Sequence, residues 1–198
     1  MKARPAVFLD RDGTLIEERS YPRRREDIVP FAGVGAALHR LNEAGFLCIV
    51  LSNQSAVARG MLDEEELGAL HDDLRERLAS EGGELDAIYY CPHHPEGSSP
   101  AYAQRCGCRK PAHGLFELAC FEHEIDLSRS AFVGDAVRDM FHGVAPEALR
   151  VLVRSGHGLP PDAEAHCDVI VDDVLQAVDL ILQRFPPETD TPDDHAHS

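Results

Sequence analysis

The stretch Phe8–Thr14, FLDRDGT, places two carboxylates directly after a short apolar run that begins at Ala6. In extended backbone, residues two apart face the same side, so Asp10 and Asp12 can converge on one point, while Gly13 allows a tight turn. One carboxylate can attack a phosphoryl group, and the other can protonate the leaving oxygen and later deprotonate water. Aspartate and glycine are also common in turns that end strands, so this stretch alone is compatible with a purely structural role.

Short apolar runs alternate with helical patterns along the rest of the chain. The apolar runs predict strands at 6–9, 46–51, 87–90, 131–133, 150–153 and 169–171. The helical patterns predict helices at 33–44, 63–80, 115–124 and 173–184, and one more after Asp135. This alternation indicates an α/β fold with a three-layer, doubly wound, mostly parallel sheet. Such sheets bind ligands beyond the carboxyl ends of their strands, so the residues after each strand are the candidates for a functional site.

Length and charge narrow the class of protein. One domain is expected over residues 1–185, followed by an acidic, proline-rich tail at 186–198 that we expect to be disordered and whose His195 and His197 bind metal weakly at most. The 198 residues carry a formal charge of -16, which excludes nucleic acid and anionic membranes as expected partners. No secretory or membrane-spanning segment is found, so we expect a cytoplasmic monomer that acts on a small molecule.

Polar side chains follow the second predicted strand and the irregular insert. Ser52 and Asn53 offer a hydroxyl, an amide and backbone donors that can hold phosphoryl oxygens, although a serine there could also cap a helix. Arg109 and Lys110 precede a proline, which favours extended backbone and makes their side chains diverge. Unless this pair is a solvated surface feature, we expect one side chain at the transferring phosphoryl group and the other at the rest of the substrate.

Two more carboxylates follow the fourth predicted strand. Asp135 comes directly after its end, and Asp139 lies four residues further on. A carboxylate that faces Asp10 suits Mg²⁺, which prefers a few carboxylates, a substrate phosphate and waters. In a helix, Asp139 would lie one turn further along the same side and bind the ion through water. Either aspartate could instead be a helix cap.

The ordered set DRDGT, SNQ, RKP and GDxxxD resembles the haloacid dehalogenase superfamily of phosphatases over residues 6–153. The resemblance implies that Asp10 is the nucleophile and Asp12 the general acid and base. It also implies that Ser52 and Lys110 stabilise the phosphoryl group. Magnesium would be bound by Asp10, Asp135 and the backbone carbonyl of Asp12. This division of roles agrees with the chemistry of phosphoryl transfer, which needs positioning and charge neutralisation.

Four potential metal ligands lie at the two ends of the irregular loop 91–108. Cys91, His93, Cys106 and Cys108 supply three thiolates and one imidazole, a full tetrahedral set for structural Zn²⁺. Free thiols or a local disulfide are the alternatives, and His94 could bind in place of His93, although the family resemblance favours His93. The three remaining cysteines are expected to be small apolar residues.

The phrases YYCPHHPEG and SNQSAVARG, with the twelve residues between the two ligand pairs, resemble the family of D-glycero-D-manno-heptose 1,7-bisphosphate 7-phosphatases. That resemblance implies a phosphorylated sugar as substrate, and it implies that nine residues line the substrate pocket or contact substrate: Arg19, Ser20, Tyr21, Pro22, Ser52, Asn53, Gln54, Ser55 and Arg109. Histidinol-phosphate phosphatases, which have a shorter zinc loop, are the first alternative. A zinc-binding module without catalysis is the second, and the complete catalytic set argues against it.

The sequence departs from the heptose phosphatase pattern at three positions. Ala56 replaces a usual glycine, His113 stands near a usual proline, and Ala136 replaces a basic residue that commonly follows the metal aspartate. Arg138 is not expected to substitute for that basic residue, because residues two apart on a helix do not share a face. The departures bear on the substrate and its affinity, whereas the catalytic set is complete.

Overall fold

The computed structural model describes residues 3–187 and contains a six-stranded sheet in which all neighbouring strands are parallel. The strands are β1 (Ala6–Leu9), β2 (Leu47–Asn53), β3 (Ala87–Cys91), β4 (Ala131–Gly134), β5 (Leu149–Val153) and β6 (Val169–Val171). Their order across the sheet is β3-β2-β1-β4-β5-β6, so the chain changes direction across the sheet at β1. Ligands of such sheets bind at this point of reversal.

Helices cover both faces of the sheet, which confirms the predicted three-layer, doubly wound fold. The helices are α1 (Val34–Glu43), α2 (Ser55–Ala58), α3 (Glu64–Ala79), α4 (Gly114–Glu122) and α5 (Val174–Arg184). On one face α1 lies between α3 and α5, while α4 packs on the other face against β2 and β3. Alternate residues of β1 pack into two different hydrophobic clusters. Val7 and Leu9 belong to one cluster, and Phe8 belongs to the other, where it packs against Phe116 and Phe132.

The predicted strands and the four bounded helices agree with the structure to within two residues at each end. Acidic side chains cap the starts of α3 and α5. Asp63 accepts a hydrogen bond from the backbone N–H of Glu66, and the Glu66 carboxylate accepts one from the N–H of Asp63, both 2.8 Å long. At the start of α5, Asp173 accepts from the N–H of Gln176 at 2.9 Å.

The helix predicted after Asp135 is wrong. Only a single 3₁₀ turn, Val137–Asp139, follows β4 directly, and the N–H of Ala136, the residue before the turn, donates to the Asp139 carboxylate at 3.0 Å. The chain then adopts positive φ angles at Phe141, Gly143 and Ala145, which a right-handed helix cannot contain. The short helix α2 was not predicted from the sequence.

Two further sequence predictions concern the ends of the chain and membrane insertion. Residues 188–198 of the predicted tail, with both of its histidines, lie outside the described residues. Within residues 3–187, the helices lack the length and apolar character needed to cross a bilayer.

Candidate active site

A cleft with a volume of about 310 Å³ opens at the carboxyl ends of β1 and β2. It is lined by side chains from five parts of the chain: the loop after β1, the end of β2 with the start of α2, the segment before α4, the turn after β4 and the turn after β5. All nine residues predicted to contact substrate lie on its wall, together with Asp10 and Asp12. The remaining lining residues are Glu18, Ala56, Arg138 and His157.

Asp10 and Lys110 form a buried ion pair at the base of the cleft. Lys110 Nζ lies 2.7 Å from Asp10 Oδ1 and 2.7 Å from Asp139 Oδ1, and it also donates to the carbonyl of Leu51. Burial raises the pKa of Asp10 to about 6, although the nearby ammonium acts in the opposite direction. Burial would lower the pKa of Lys110, but attraction to the two carboxylates raises it, so the ammonium stays charged.

Asp12 belongs to a separate hydrogen-bond network. Arg11 Nε and Nη2 donate to the two Asp12 carboxylate oxygens, each at 3.0 Å, and Arg11 itself is fully buried. The Gln54 amide nitrogen donates to Asp12 Oδ2 at 3.0 Å and to Ser52 Oγ at 2.7 Å, while its oxygen accepts from Arg11 Nη2 at 2.9 Å. Gln54 therefore links the first and second motifs and fixes the orientation of the Asp12 carboxylate.

The carboxylate of Asp135 lies in a narrow space between two glycines. A Cβ atom at Gly13 would lie 2.7 Å from Asp135 Oδ2, and one at Gly156 would lie closer still, so neither position accepts a side chain without displacing the carboxylate. The N–H of His157 donates to the same oxygen at 2.9 Å, and the His157 ring Nδ1 lies 3.2 Å from it. Burial and the neighbouring Asp10 raise the pKa of Asp135.

The arrangement of these carboxylates fits a metal ion. Asp10, Asp135 and Asp139 each offer an oxygen within 4.8 Å of the others, and all three side chains are buried. Asp135 Oδ1 is buried without a hydrogen-bond partner among the described residues, which a cation would supply. Oxygen ligands of this kind are those that Mg²⁺ prefers. The expected role of Asp139 as a ligand through water stays a prediction, since its carboxylate contacts Lys110 and the N–H of Ala136.

The four predicted zinc ligands also come together, at one end of β3. The Cys91, Cys106 and Cys108 sulfurs lie 3.2–3.5 Å apart, and His93 Nδ1 lies 3.8 Å from Cys91 Sγ and 3.4 Å from Cys108 Sγ. These spacings fit four ligands around one ion with bonds of about 2.0–2.3 Å. All six cysteines are free thiols, so no disulfide competes with this arrangement.

Arg109 and Lys110 diverge as their position before a proline predicted. The Lys110 ammonium points to Asp10, whereas Arg109 Nη1 donates to the carbonyl of His93 at 3.2 Å and its side chain lines the cleft. Asn53 holds the backbone between them, because its amide oxygen accepts from the Lys110 N–H at 3.0 Å and its amide nitrogen donates to the Lys110 carbonyl at 3.1 Å. Arg109 thus connects the cleft to the cluster of four predicted zinc ligands.

Three lining residues were missed from the sequence: Glu18, Arg138 and His157. His157 follows β5 closely, so the strand-end rule could have found it. Glu18 carries no such signal in the loop after β1. Arg138 was not expected to substitute for a basic residue at position 136, because the two positions would not share a helix face. The helix behind that argument is replaced by a 3₁₀ turn at 137–139, and the Arg138 side chain lines the cleft.

Comparisons with known proteins agree with this geometry. The HAD-hydrolase-like family model matches residues 107–177. The D-glycero-beta-D-manno-heptose-1,7-bisphosphate 7-phosphatase of Yersinia pestis is 37% identical over 182 residues, covering 91% of this chain and 97% of that protein. The D-glycero-D-manno-heptose-1,7-bisphosphate 7-phosphatase of Thermosynechococcus vestitus is 41% identical over 193 residues, covering 93% and 98%.

Solved structures give the same result. The D,D-heptose 1,7-bisphosphate phosphatase from B. bronchiseptica, crystallised with magnesium and phosphate, is 28% identical and superposes with a TM-score of 0.75. The match covers 91% of this chain and 99% of that one.

Proposed function

This chain belongs to the D-glycero-D-manno-heptose 1,7-bisphosphate 7-phosphatase family of haloacid dehalogenase-like hydrolases, and we propose that it hydrolyses the C7 phosphate ester of that bisphosphate. One observation carries the proposal. The cleft holds the two carboxylates of the first motif, Asp10 and Asp12, and is walled by guanidinium groups from three separate segments, at Arg19, Arg109 and Arg138. A pocket that combines a nucleophile with several cations suits a small substrate with two phosphate groups.

Asp10 is the proposed nucleophile. Its carboxylate attacks phosphorus, the bond from phosphorus to the sugar oxygen breaks, and an aspartyl-phosphate forms on Asp10. Lys110, 2.7 Å from Asp10, neutralises part of the negative charge that gathers at this point and keeps the carboxylate in place. Ser52 lies beside it at the end of β2, where its hydroxyl can donate to a phosphoryl oxygen.

Asp12 is the proposed general acid and base. Its carboxylic acid form gives a proton to the leaving sugar oxygen, and the resulting carboxylate then takes a proton from the water that hydrolyses the aspartyl-phosphate. Arg11 and Gln54 hold the carboxylate in one orientation throughout. The same side chain thus serves both half-reactions, since the first leaves it in the state that the second needs.

Magnesium is the proposed catalytic cofactor, held by Asp10, Asp135 and the backbone carbonyl of Asp12. Bound there, the ion would neutralise phosphoryl oxygens and orient the phosphate. The buried, unpartnered oxygen of Asp135 supports this assignment. The burial that raises the Asp10 and Asp135 pKa values also favours a cation at this point, since burial penalises unpaired negative charge.

Zinc is the proposed structural ion, held by Cys91, His93, Cys106 and Cys108. Burial raises the pKa of the Cys91 thiol, so a bound cation is needed to keep it as the thiolate. The ion does not touch the reacting phosphate in this proposal. It fixes the His93 carbonyl, and through it the Arg109 side chain on the substrate wall. We also propose a monomeric, cytoplasmic enzyme, as expected from the sequence.

Product analysis tests the function. Protein with magnesium is incubated with heptose 1,7-bisphosphate, heptose 1-phosphate, heptose 7-phosphate and histidinol phosphate, and the products are identified by phosphorus NMR. We expect the bisphosphate to be the best substrate and heptose 1-phosphate to be its product. A preference for histidinol phosphate would contradict the substrate assignment. If no phosphate is released from any of the four compounds, the result would favour a binding module without catalysis.

A further inference from the structure

The Lys110 ammonium is already engaged with protein oxygens. It makes hydrogen bonds to Asp10 Oδ1 and the Leu51 carbonyl and a 2.7 Å ion pair with Asp139 Oδ1. An ammonium has three N–H donors, so these contacts leave it little capacity for a substrate oxygen. Lys110 is also buried and does not line the cleft. Any oxygen of a bound phosphoryl group that the proposed magnesium ion does not reach therefore needs a different cation.

Three arginines line the cleft, and two of them are engaged elsewhere. Arg19 donates to the Glu17 carboxylate at 2.9 Å and to the Glu26 carbonyl, while Arg109 donates to the His93 carbonyl at 3.2 Å. The third, Arg138, makes no hydrogen bond to any residue between 3 and 187. Its guanidinium, which carries five N–H donors, is thus the one with the most free hydrogen-bonding capacity.

The free N–H groups of Arg138 lie close to the carboxylates at the base of the cleft. Its Nη2 lies 3.9 Å from Asp135 Oδ1 and its Nε lies 4.0 Å from Asp139 Oδ1, distances at which the ion pairs are loose. The side chain is about half exposed, so it can move toward a ligand at small cost. Ala136, by contrast, has no side chain that could reach the cleft and is not among the lining residues.

We propose that Arg138 binds the transferring phosphoryl group directly, as the cation that the chain supplies from the 3₁₀ turn after β4 in place of one at position 136. This inference rests on the proposed phosphatase function and deepens it. A planar guanidinium can donate two parallel hydrogen bonds to phosphate oxygens, which a lysine cannot do. Arg138 faces the phosphoryl group from the open side of the cleft, while Lys110 holds Asp10 from below.

Binding of inorganic phosphate tests the proposal without requiring turnover. The dissociation constant of phosphate is measured by calorimetry on magnesium-loaded wild-type protein, Arg138→Gln and Arg138→Lys. Arg154→Gln is the matched control, because Arg154 is also about half exposed, pairs loosely with Asp172 at 3.6 Å, and lies outside the cleft. We expect Arg138→Gln to weaken phosphate binding about tenfold and Arg138→Lys to restore part of the loss, the size of one charge-assisted hydrogen bond. The control should bind phosphate as wild type does.

A second measurement shows which phosphate group Arg138 contacts. The Michaelis constants of an aryl phosphate, which has one phosphate, and of heptose 1,7-bisphosphate should both rise in Arg138→Gln. Equal phosphate affinity in Arg138→Gln and Arg154→Gln would overturn the proposal. So would a rise confined to the bisphosphate, since the contact would then be to the phosphate that stays on the sugar.

The outcomes for the inference and for the proposed function are separable. If wild-type protein does not hydrolyse the bisphosphate but Arg138→Gln still weakens phosphate binding, the substrate assignment fails and the role of Arg138 stands. If Arg138→Gln unfolds, Arg138→Met takes its place as the variant without the charge, and it is compared with Arg138→Met combined with Ala136→Lys and with the single variant Arg138→Lys. Recovery of phosphate affinity by a cation at either position supports the proposal, and no recovery by either cation contradicts it.

Discussion

The guanidinium of Arg11 donates two parallel hydrogen bonds to the carboxylate of its neighbour Asp12, Nε to Oδ2 and Nη2 to Oδ1, each 3.0 Å long. Arg11 is fully buried, whereas Asp12 lines the cleft, so a guanidinium that is fixed in the protein interior holds a carboxylate that faces the substrate site. The orientation of Asp12 is thus set by the protein before any substrate binds.

Replacing Gln54 tests whether that orientation matters for proton transfer. Gln54→Leu keeps the side chain at a similar volume but removes the hydrogen bonds to Asp12 and Ser52. We expect turnover of a sugar phosphate to fall about 10- to 100-fold, part of the usual contribution of a general acid, and turnover of an aryl phosphate to fall less. Gln176→Leu, which removes an exposed pair with Asp172, is the control. Equal losses on both substrates would argue against a role in proton donation.

The effects of replacing Asp10 and Asp12 should depend differently on the leaving group of the substrate. Asp10→Asn should abolish turnover with any phosphate ester, because the amide is nearly isosteric but is not an anionic nucleophile. Asp12→Asn should still form a phosphoenzyme from an activated aryl phosphate, whose leaving group needs little protonation. Rapid-quench measurement of protein-bound phosphate checks both variants. Near wild-type activity in Asp10→Asn would show that another residue is the nucleophile.

Metal analysis checks the cysteine cluster. Protein purified in metal-free buffer should contain one zinc per chain, and Cys106→Ser and Cys108→Ser should lose it. Cys120→Ser, which removes a partly buried thiol of α4 outside the cluster, should keep it. Loss of zinc should raise the Michaelis constant more than it lowers turnover, because the ion holds the substrate wall through Arg109. Unchanged zinc content in both ligand variants would disprove the assignment.

The buried His71 of α3 should make the protein less stable in acid. Burial lowers its pKa to about 3, the positive charges of Arg11 and Arg75 act in the same direction, and Asp12 partly opposes them. The unfolded chain binds a proton at His71 below about pH 6.5, whereas the folded protein does not. Each further decrease of one pH unit therefore lowers the free energy of unfolding by about 1.4 kcal/mol, until the pH reaches the pKa of His71 in the folded protein.

Chemical denaturation between pH 4 and 8 measures the effect. In wild-type protein, the free energy of unfolding should be fully retained above about pH 6.5 and should fall below it. His71→Gln, which cannot take up a proton, should show a shallower fall, and His39→Gln, at an exposed position of α1, should follow wild type. Parallel curves for wild type and His71→Gln would mean that His71 is not buried in its neutral form.

Much of this site could be predicted from the sequence, because parallel strands bring their carboxyl ends to one edge. Asp10, Ser52 and Asp135 follow apolar runs, and the rule alone places them together. The pairing of Cys91 with Cys106 and Cys108 was predictable for a different reason, since few roles other than metal binding need such a set.

The contacts that depend on turn geometry could not be predicted. The spacing of Asp135 and Asp139 fits a helix as well as a 3₁₀ turn, and only the turn brings Arg138 to the cleft. Nor does the sequence show that Asp139 pairs with Lys110, because the two residues lie in loops 29 positions apart whose relative placement no local pattern encodes. Hydrogen bonds such as that of Gln54 to Asp12 join loops whose relative positions no local pattern encodes.

The glycine space around Asp135 bears on the order in which the protein can become active. Gly13 belongs to the loop after β1 and Gly156 to the loop after β5, and Ser155 Oγ donates to the Gly13 carbonyl at 2.7 Å. All four motifs have been synthesised once Asp139 leaves the ribosome, yet the wall behind Asp135, the proposed metal ligand, arrives only with residues 155–157. A nascent chain that ends at Gly143 would therefore carry every motif and still lack a finished place for the ion. In this proposal the site is complete only when the loop after β5, which lies far along the chain, packs against Gly13 of the first motif.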